Sequence, residues 1–96
     1  AMVTMETGML ARSKAGHDQD KLYIIIRSDT EYVWLADGVY KTIEKPKKKK
    51  KKHMQVIHRI PEPIQNALGS GDALLNEHIK KAIESESRDW QEDKHV

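Results

Sequence analysis

Hydrophobic and polar positions alternate with a period of two through the first half of this chain. Short runs rich in Val, Ile, Tyr and Trp are separated by Gly, Asp, Ser and Pro, the residues that favour turns. This pattern predicts five β-strands, over residues 8–13, 21–27, 31–36, 39–44 and 54–60. Several short strands joined by tight turns favour a small β-barrel.

The same alternation divides the residues of each strand between two faces of the sheet. We assign one face to the core, formed by Leu22, Ile24, Ile26, Val33 and Leu35. The opposite face then carries an unusually aromatic set, namely Tyr23, Ile25, Tyr32 and Trp34. Two uses of this outer face remain open: it packs against a helix, or its rings stack on unpaired bases.

The pattern changes to a helical period after residue 61. Leu75, Ile79, Ala82 and Ile83 recur at i, i+4, i+7 and i+8, which predicts an amphipathic helix over about 72–87. Ile64 and Leu68 predict one further helical turn before it. We therefore expect a barrel domain over 8–60 and a C-terminal extension over 61–96.

Charge is distributed unevenly between these two parts of the 96-residue chain. Residues 1–59 contain 13 Lys and Arg against 7 Asp and Glu, a net charge of +6. Residues 60–96 contain 4 against 8, a net charge of −4. The β part is therefore the part suited to an anionic partner. The acidic helix either docks on the barrel through its apolar stripe or lies across the basic surface and competes with that partner.

The composition excludes several other functions. The chain has no cysteine, which excludes disulfides and thiolate ligands and fits a cytoplasmic protein. Its longest purely apolar run is Ile24–Ile26, far too short to span a membrane. The five histidines show no ligand spacing, and no nucleophile, carboxylate pair or phosphate cradle is recognisable. We expect no metal, no cofactor and no enzymatic activity.

Six consecutive lysines, Lys47 to Lys52, fall between two predicted strands, where we expect a mobile loop. Such a run is either a solvated linker or a contact for a polyanion such as RNA. Lys14, Lys21 and Lys45 add positive charge nearby in the sequence. Because lysine lacks the planar fork of arginine, this set favours phosphate contacts over base reading.

Three motifs in the β part occur together in a known family. They are a Ser-Lys-Ala-Gly-His-Asp loop over 13–18, a Leu-Ala-Asp-Gly turn over 35–38, and the lysine run closing in His53-Met54. With these motifs the chain resembles the bacterial KOW-domain RNA-binding proteins, which are related to the KOW-type large-subunit ribosomal proteins of eukaryotes and archaea.

This resemblance implies an SH3-like barrel and a role with ribosomal or other structured RNA. Together with the charge pattern, it identifies a set of candidate RNA-binding residues: Lys14, Gly16, His17, Lys21, Lys45, Lys47, Lys48, Lys49, Lys50, Lys51, Lys52 and His53. Our hypothesis is a monomeric, cytoplasmic RNA-binding protein of the translation machinery, with ribosomal proteins as further partners. The alternative is a protein–protein adaptor whose SH3-like barrel docks a ribosomal or transcription protein, because such barrels serve both roles.

Overall fold

The computed structural model of the chain describes residues 7–14, 21–57, 59–71 and 73–94. Within these ranges the chain forms one five-stranded antiparallel sheet and two α-helices. The strands are β1 (Leu10–Ser13), β2 (Leu22–Ser28), β3 (Tyr32–Ala36), β4 (Lys47–Lys50) and β5 (Met54–Ile57). The prediction of a mainly β chain is confirmed, and four predicted strands correspond to β1, β2, β3 and β5.

The order of the strands across the sheet is β4-β3-β2-β1-β5. Strands β4 and β5 follow each other along the chain but lie at opposite edges of the sheet. A single 3₁₀ turn, Lys51–His53, connects them. Among the described residues no pairing joins β4 to β5, so the sheet is not closed into a barrel.

The predicted strand over 39–44 is wrong, because these residues form a bent loop between β3 and β4. Asp37, at the end of β3, shapes this loop with its side chain. Its Oδ1 accepts hydrogen bonds from the backbone N–H groups of Val39, Tyr40 and Lys41 at 2.8, 2.8 and 2.9 Å. Backbone amides that bond to the preceding aspartate cannot also bond to a neighbouring strand.

The lysine run supplies the fourth strand instead of the predicted loop. Strand β4 pairs with β3 from Leu35 opposite Lys47 to Tyr32 opposite Lys50. Lysine is a poor strand former, but at the edge of a sheet its ammonium group can reach water while the backbone bonds to one neighbour. Pairing with β3 therefore outweighs the weak intrinsic preference of these residues.

The sheet curls strongly around one of its faces. In a flat sheet β4 and β1 would lie about 14 Å apart, because three spacings of about 4.8 Å separate them. Lys49 Nζ on β4 nevertheless donates a hydrogen bond to Ser13 Oγ on β1 at 2.5 Å. The concave face produced by this curl encloses a buried cluster: Ala11, Tyr23, Ile25, Val33, Leu35 and Met54.

The convex face of the sheet carries the two helices, α1 (Glu62–Gly69) and α2 (Asn76–Lys94). A second buried cluster joins sheet and helices through Leu10, Ile24, Ala36, Ile64, Ile79 and Ala82. The apolar stripe of the predicted helix therefore docks on the sheet, although Leu75 precedes α2 and is 53% exposed. Neither helix is both long and apolar enough to cross a membrane, within the described ranges.

The predicted division into one core face and one aromatic outer face is wrong. Tyr23 and Ile25 are fully buried on the concave face together with Val33 and Leu35. Leu22, Ile24 and Ile26 instead pack on the helix side. The reason is that both faces of this sheet are buried. The curled sheet encloses its own concave face, and the two helices cover the convex face. A register shift between Ile25 and Arg27 also changes which residues of β2 and β3 share a face.

Candidate nucleic-acid interface

The lysines of β4 are not equivalent, because successive side chains of a strand point to opposite faces. Lys48 and Lys50 are exposed, whereas Lys47 and Lys49 are half-buried. In the 3₁₀ turn that follows, Lys51 is half-buried and Lys52 is exposed. The predicted uniform basic loop is therefore wrong. The β4 lysines form two rows, an inner row of Lys47 and Lys49 and an outer row of Lys48 and Lys50.

The inner row contacts the concave side of the sheet. Lys49 bonds to the buried Ser13 hydroxyl, as described above, and Lys47 Nζ lies 6.0 Å from the centre of the Tyr23 ring. Lys21 Nζ lies over the same ring at 5.3 Å. Lys21, Lys47 and Lys49, which are separated in sequence, are thus brought together around Tyr23 and Ser13.

Lys21 is held in place by an ion pair with a buried carboxylate. Its Nζ lies 2.8 Å from Asp37 Oδ2, whose side chain is only 7% exposed. Burial acts to raise the pKa of Asp37, but the hydrogen bonds from Lys21 and from the loop amides outweigh burial and lower it. Asp37 therefore stays ionised, and part of the Lys21 charge is already used inside the protein.

Other predicted site residues lie around this region. The backbone N–H of Lys14 donates to the His53 carbonyl at 2.9 Å, which places the residue after β1 against the 3₁₀ turn. Lys45 is exposed in the loop before β4, where its N–H bonds to Thr42 Oγ1 at 3.2 Å. Gly16 and His17 lie outside the described residues.

The outer row lies among aromatic rings on the convex side of the sheet. Lys48 Nζ is 4.3 Å from the centre of the Tyr32 ring and 5.5 Å from that of Trp34. Arg27 lies over Trp34 from the other neighbouring strand, with its Cζ 4.6 Å from the ring centre. We call Arg27, Trp34, Lys48 and Tyr32 the cation–aromatic face.

Sequence reasoning identified Trp34 and Tyr32 as outer aromatics but missed Arg27. The period-two pattern placed Arg27 on the predicted outer face together with Tyr32 and Trp34, but Arg27 was not chosen as a site residue. In the structure a register shift after Ile25 leaves Tyr23 on the buried concave face and brings Arg27 opposite Trp34. The pattern could therefore have suggested the face of Arg27, whereas its pairing with Trp34 comes from the strand register.

The Asp29 carboxylate lies near the cation–aromatic face. Asp29 Oδ1 accepts hydrogen bonds from the backbone N–H groups of Tyr32 at 2.6 Å and Glu31 at 2.9 Å. These bonds, together with the charges of Lys48 and Lys51, lower the pKa of Asp29. The carboxylate fixes the turn between β2 and β3, which positions Tyr32 beside Lys48.

Within the described ranges, no three His, Asp or Glu side chains are close enough together to hold a metal ion. The arrangement offers fixed positive charges and aromatic rings. Comparison with known proteins adds no assignment: no protein-family model and no curated protein matches the chain.

Proposed function

We propose that this chain is an RNA-binding protein that contacts structured RNA mainly through phosphates. The observation that carries the proposal is the outer row of β4, where Lys48 and Lys50 are exposed and Lys48 shares the Trp34 ring with the exposed Arg27. No carboxylate of the described residues lies within 4.0 Å of Arg27 or Lys48. These two charges are therefore available to an external anion.

The separation of charge along the chain supports the same function. The part that contains the sheet has a net charge of +6, and the part that contains the helices has a net charge of −4. RNA is a dense polyanion, and neutralising its phosphates releases bound counterions, which favours binding at low salt. Positively charged side chains on one edge of a sheet can approach phosphates without reading the sequence.

The proposal includes the finer assignments that the family resemblance implies. We place the chain with KOW-domain proteins of the bacterial translation machinery and its fold with the SH3-like barrels. Five antiparallel strands, the tight connection from β4 to β5 and the hydrogen bond from Lys49 to Ser13 support a barrel-like arrangement.

The competing function is the protein–protein adaptor, in which the β4 lysines protect an edge of the sheet. Lysines on an edge strand prevent unwanted pairing with other sheets, so β4 would be basic even in a protein–protein adaptor. In that case the charges keep the protein soluble and contribute little to partner affinity. The two functions differ in how binding depends on salt.

A fluorescence-anisotropy titration with a ribosomal RNA hairpin at several salt concentrations separates them. We expect Lys48→Gln/Lys50→Gln to reduce the log–log salt slope by about 1.4 to 1.8, because about 0.7 to 0.9 counterions are released per phosphate contact. The matched control is Lys80→Gln/Lys81→Gln, which removes two exposed lysines from α2. We expect this control to leave the slope unchanged. RNA binding that does not depend on salt, or equal effects of both variants, would contradict the proposal.

A further inference from the structure

The cation–aromatic face has an order that phosphate binding alone does not require. Arg27, Trp34 and Lys48 stand opposite one another on β2, β3 and β4, with Tyr32 two residues before Trp34 on β3. Positive charges and rings therefore alternate across three neighbouring strands. Phosphate contacts need the charges but not the rings.

The two rings are not part of the protein core. Trp34 and Tyr32 are half-buried, and neither packs against the two buried clusters of the described residues. The helices cover the neighbouring Ile24–Ala36 pair on the convex face. Both rings therefore keep part of their surface accessible beside the basic edge strand.

The contacts that the rings make within the protein can be exchanged. A cation over an exposed ring contributes less free energy than a nucleic-acid base stacked on it. When a base replaces the cation, the displaced guanidinium or ammonium group becomes free to contact the adjoining phosphate. The exchange therefore replaces a weak internal contact with two contacts to the ligand.

We propose that the cation–aromatic face binds unpaired nucleotides of RNA. Trp34 and Tyr32 stack on bases, while Arg27 and Lys48 move from the rings to the phosphates between them. Residues two apart on a strand are about 6.6 Å apart, which suits bases of an extended strand better than bases stacked in a duplex. This inference rests on the proposed RNA-binding function and specifies which part of the RNA is recognised.

A proline-rich peptide would also fit exposed aromatic rings. Such a peptide brings no negative charge to Arg27 and Lys48. The alternation of cations with rings therefore favours a ligand in which flat apolar groups alternate with anions, and single-stranded RNA is such a ligand.

The test uses the full chain with Trp90→Phe, which leaves Trp34 as the single tryptophan. The probes are a 12-nucleotide oligouridine and a 12-base-pair RNA duplex. We expect oligouridine to change the Trp34 fluorescence saturably. Anisotropy of fluorescein-labelled RNA measures the affinities of the variants that lack Trp34. We expect Trp34→Leu to weaken oligouridine binding about 5- to 150-fold, the range for loss of one base stack, and to change duplex binding less than about 2-fold. Trp34→Phe retains a ring and should restore most of the affinity.

The matched control is Tyr40→Leu, because Tyr40 is 81% exposed and has Lys21 over its ring at 5.2 Å but lies outside the face. It should leave oligouridine binding unchanged. If Trp34→Leu does not fold by circular dichroism, Tyr32→Leu serves in its place with the same expectation.

The outcomes separate this inference from the proposed function. Salt-dependent RNA binding that Trp34→Leu leaves unchanged, or weakens equally for oligouridine and duplex, overturns the inference and leaves the RNA-binding function standing. Absence of binding to either RNA overturns both. A fluorescence change with decaproline that exceeds the one with oligouridine also overturns it, in favour of a peptide partner.

Discussion

Asp37 and Gly38 fix the course of the chain from β3 into the loop before β4. Asp37 accepts three backbone hydrogen bonds from the residues that follow it, and Gly38 has a φ of +83°. The Asp-Gly pair was predicted to mark a hairpin, because both residues favour turn conformations, and the chain does bend here. The prediction that a strand follows at once failed, because the aspartate side chain organises a longer loop.

Gly38 is required both for its positive φ and for its close approach to α2. Gly71 has only the positive φ, so a substitution there separates the two effects. A Cβ at Gly38 would lie 2.4 Å from the Asn76 carbonyl oxygen at the start of α2, whereas a Cβ at Gly71, with φ +74°, meets nothing within 4 Å. We expect Gly71→Ala to cost about 1–2 kcal/mol of unfolding free energy from backbone strain. Gly38→Ala should cost about 1–3 kcal/mol more because α2 must shift. Thermal melting measures both, and equal losses would show that the loop does not press on α2.

At the scale of elements, the sequence pattern predicted four of the five strands but not β4. Strands β1, β2, β3 and β5 contain alternating apolar residues, so a local signal predicted them. A run of six lysines has no apolar alternation, and its strand conformation comes from pairing with β3 at a sheet edge. Charge identified β4 as important, but only the pairing shows which lysines point outward.

The two rows of β4 lysines should differ in their effects on stability. Lys49→Gln shortens the side chain and removes the hydrogen bond to the buried Ser13 hydroxyl, so we expect a loss of about 1 kcal/mol of unfolding free energy. Lys50→Gln changes an exposed residue of the same strand and should cost less than about 0.5 kcal/mol. Urea denaturation compares the two variants. If Lys50→Gln costs as much as Lys49→Gln, the inner row has no separate structural role.

At the scale of the whole molecule, the curl of the sheet determines which strand faces are buried, and the sequence pattern alone could not predict this. Period-two patterning separates two sides of a strand but cannot tell which side is buried when both are. Tyr23 was assigned to the outer face for this reason, although the curl and the neighbouring strands bury it in the concave cluster. Of the candidate site, Lys21, Lys47 and Lys49 meet only because β4 approaches β1, a contact between residues far apart in the chain.

Acid should destabilise the folded molecule through three carboxylates of the described residues. The pKa values of Asp29, Asp37 and Glu44 are lowered in the fold, for Glu44 mainly by a hydrogen bond from Asn76 of α2. The unfolded chain then binds more protons, so their contribution is present above an unfolded pKa of about 4 and is lost as pH falls through the lower folded values. We expect the urea midpoint to be steady from pH 7 to 5 and to fall below pH 4. Asp37→Asn should reduce that fall, and a flat profile to pH 2.5 would contradict this assignment.

The position of β5 at the edge beside β1 has a consequence for the order of folding. The pairing of β2 with β3 closes a connection of 3 residues, whereas the pairing of β1 with β5 closes one of 40 residues. The longer closure costs about 2 kcal/mol more chain entropy, so the β2–β3 hairpin should form early and the β1–β5 seam should form late and open first. Native-state hydrogen exchange, faster at Val56 than at Leu35, would reveal this order. Because His53 and Ser13 both border that seam, its opening would loosen the inner lysines while the hairpin continues to hold Trp34 and Arg27 in place.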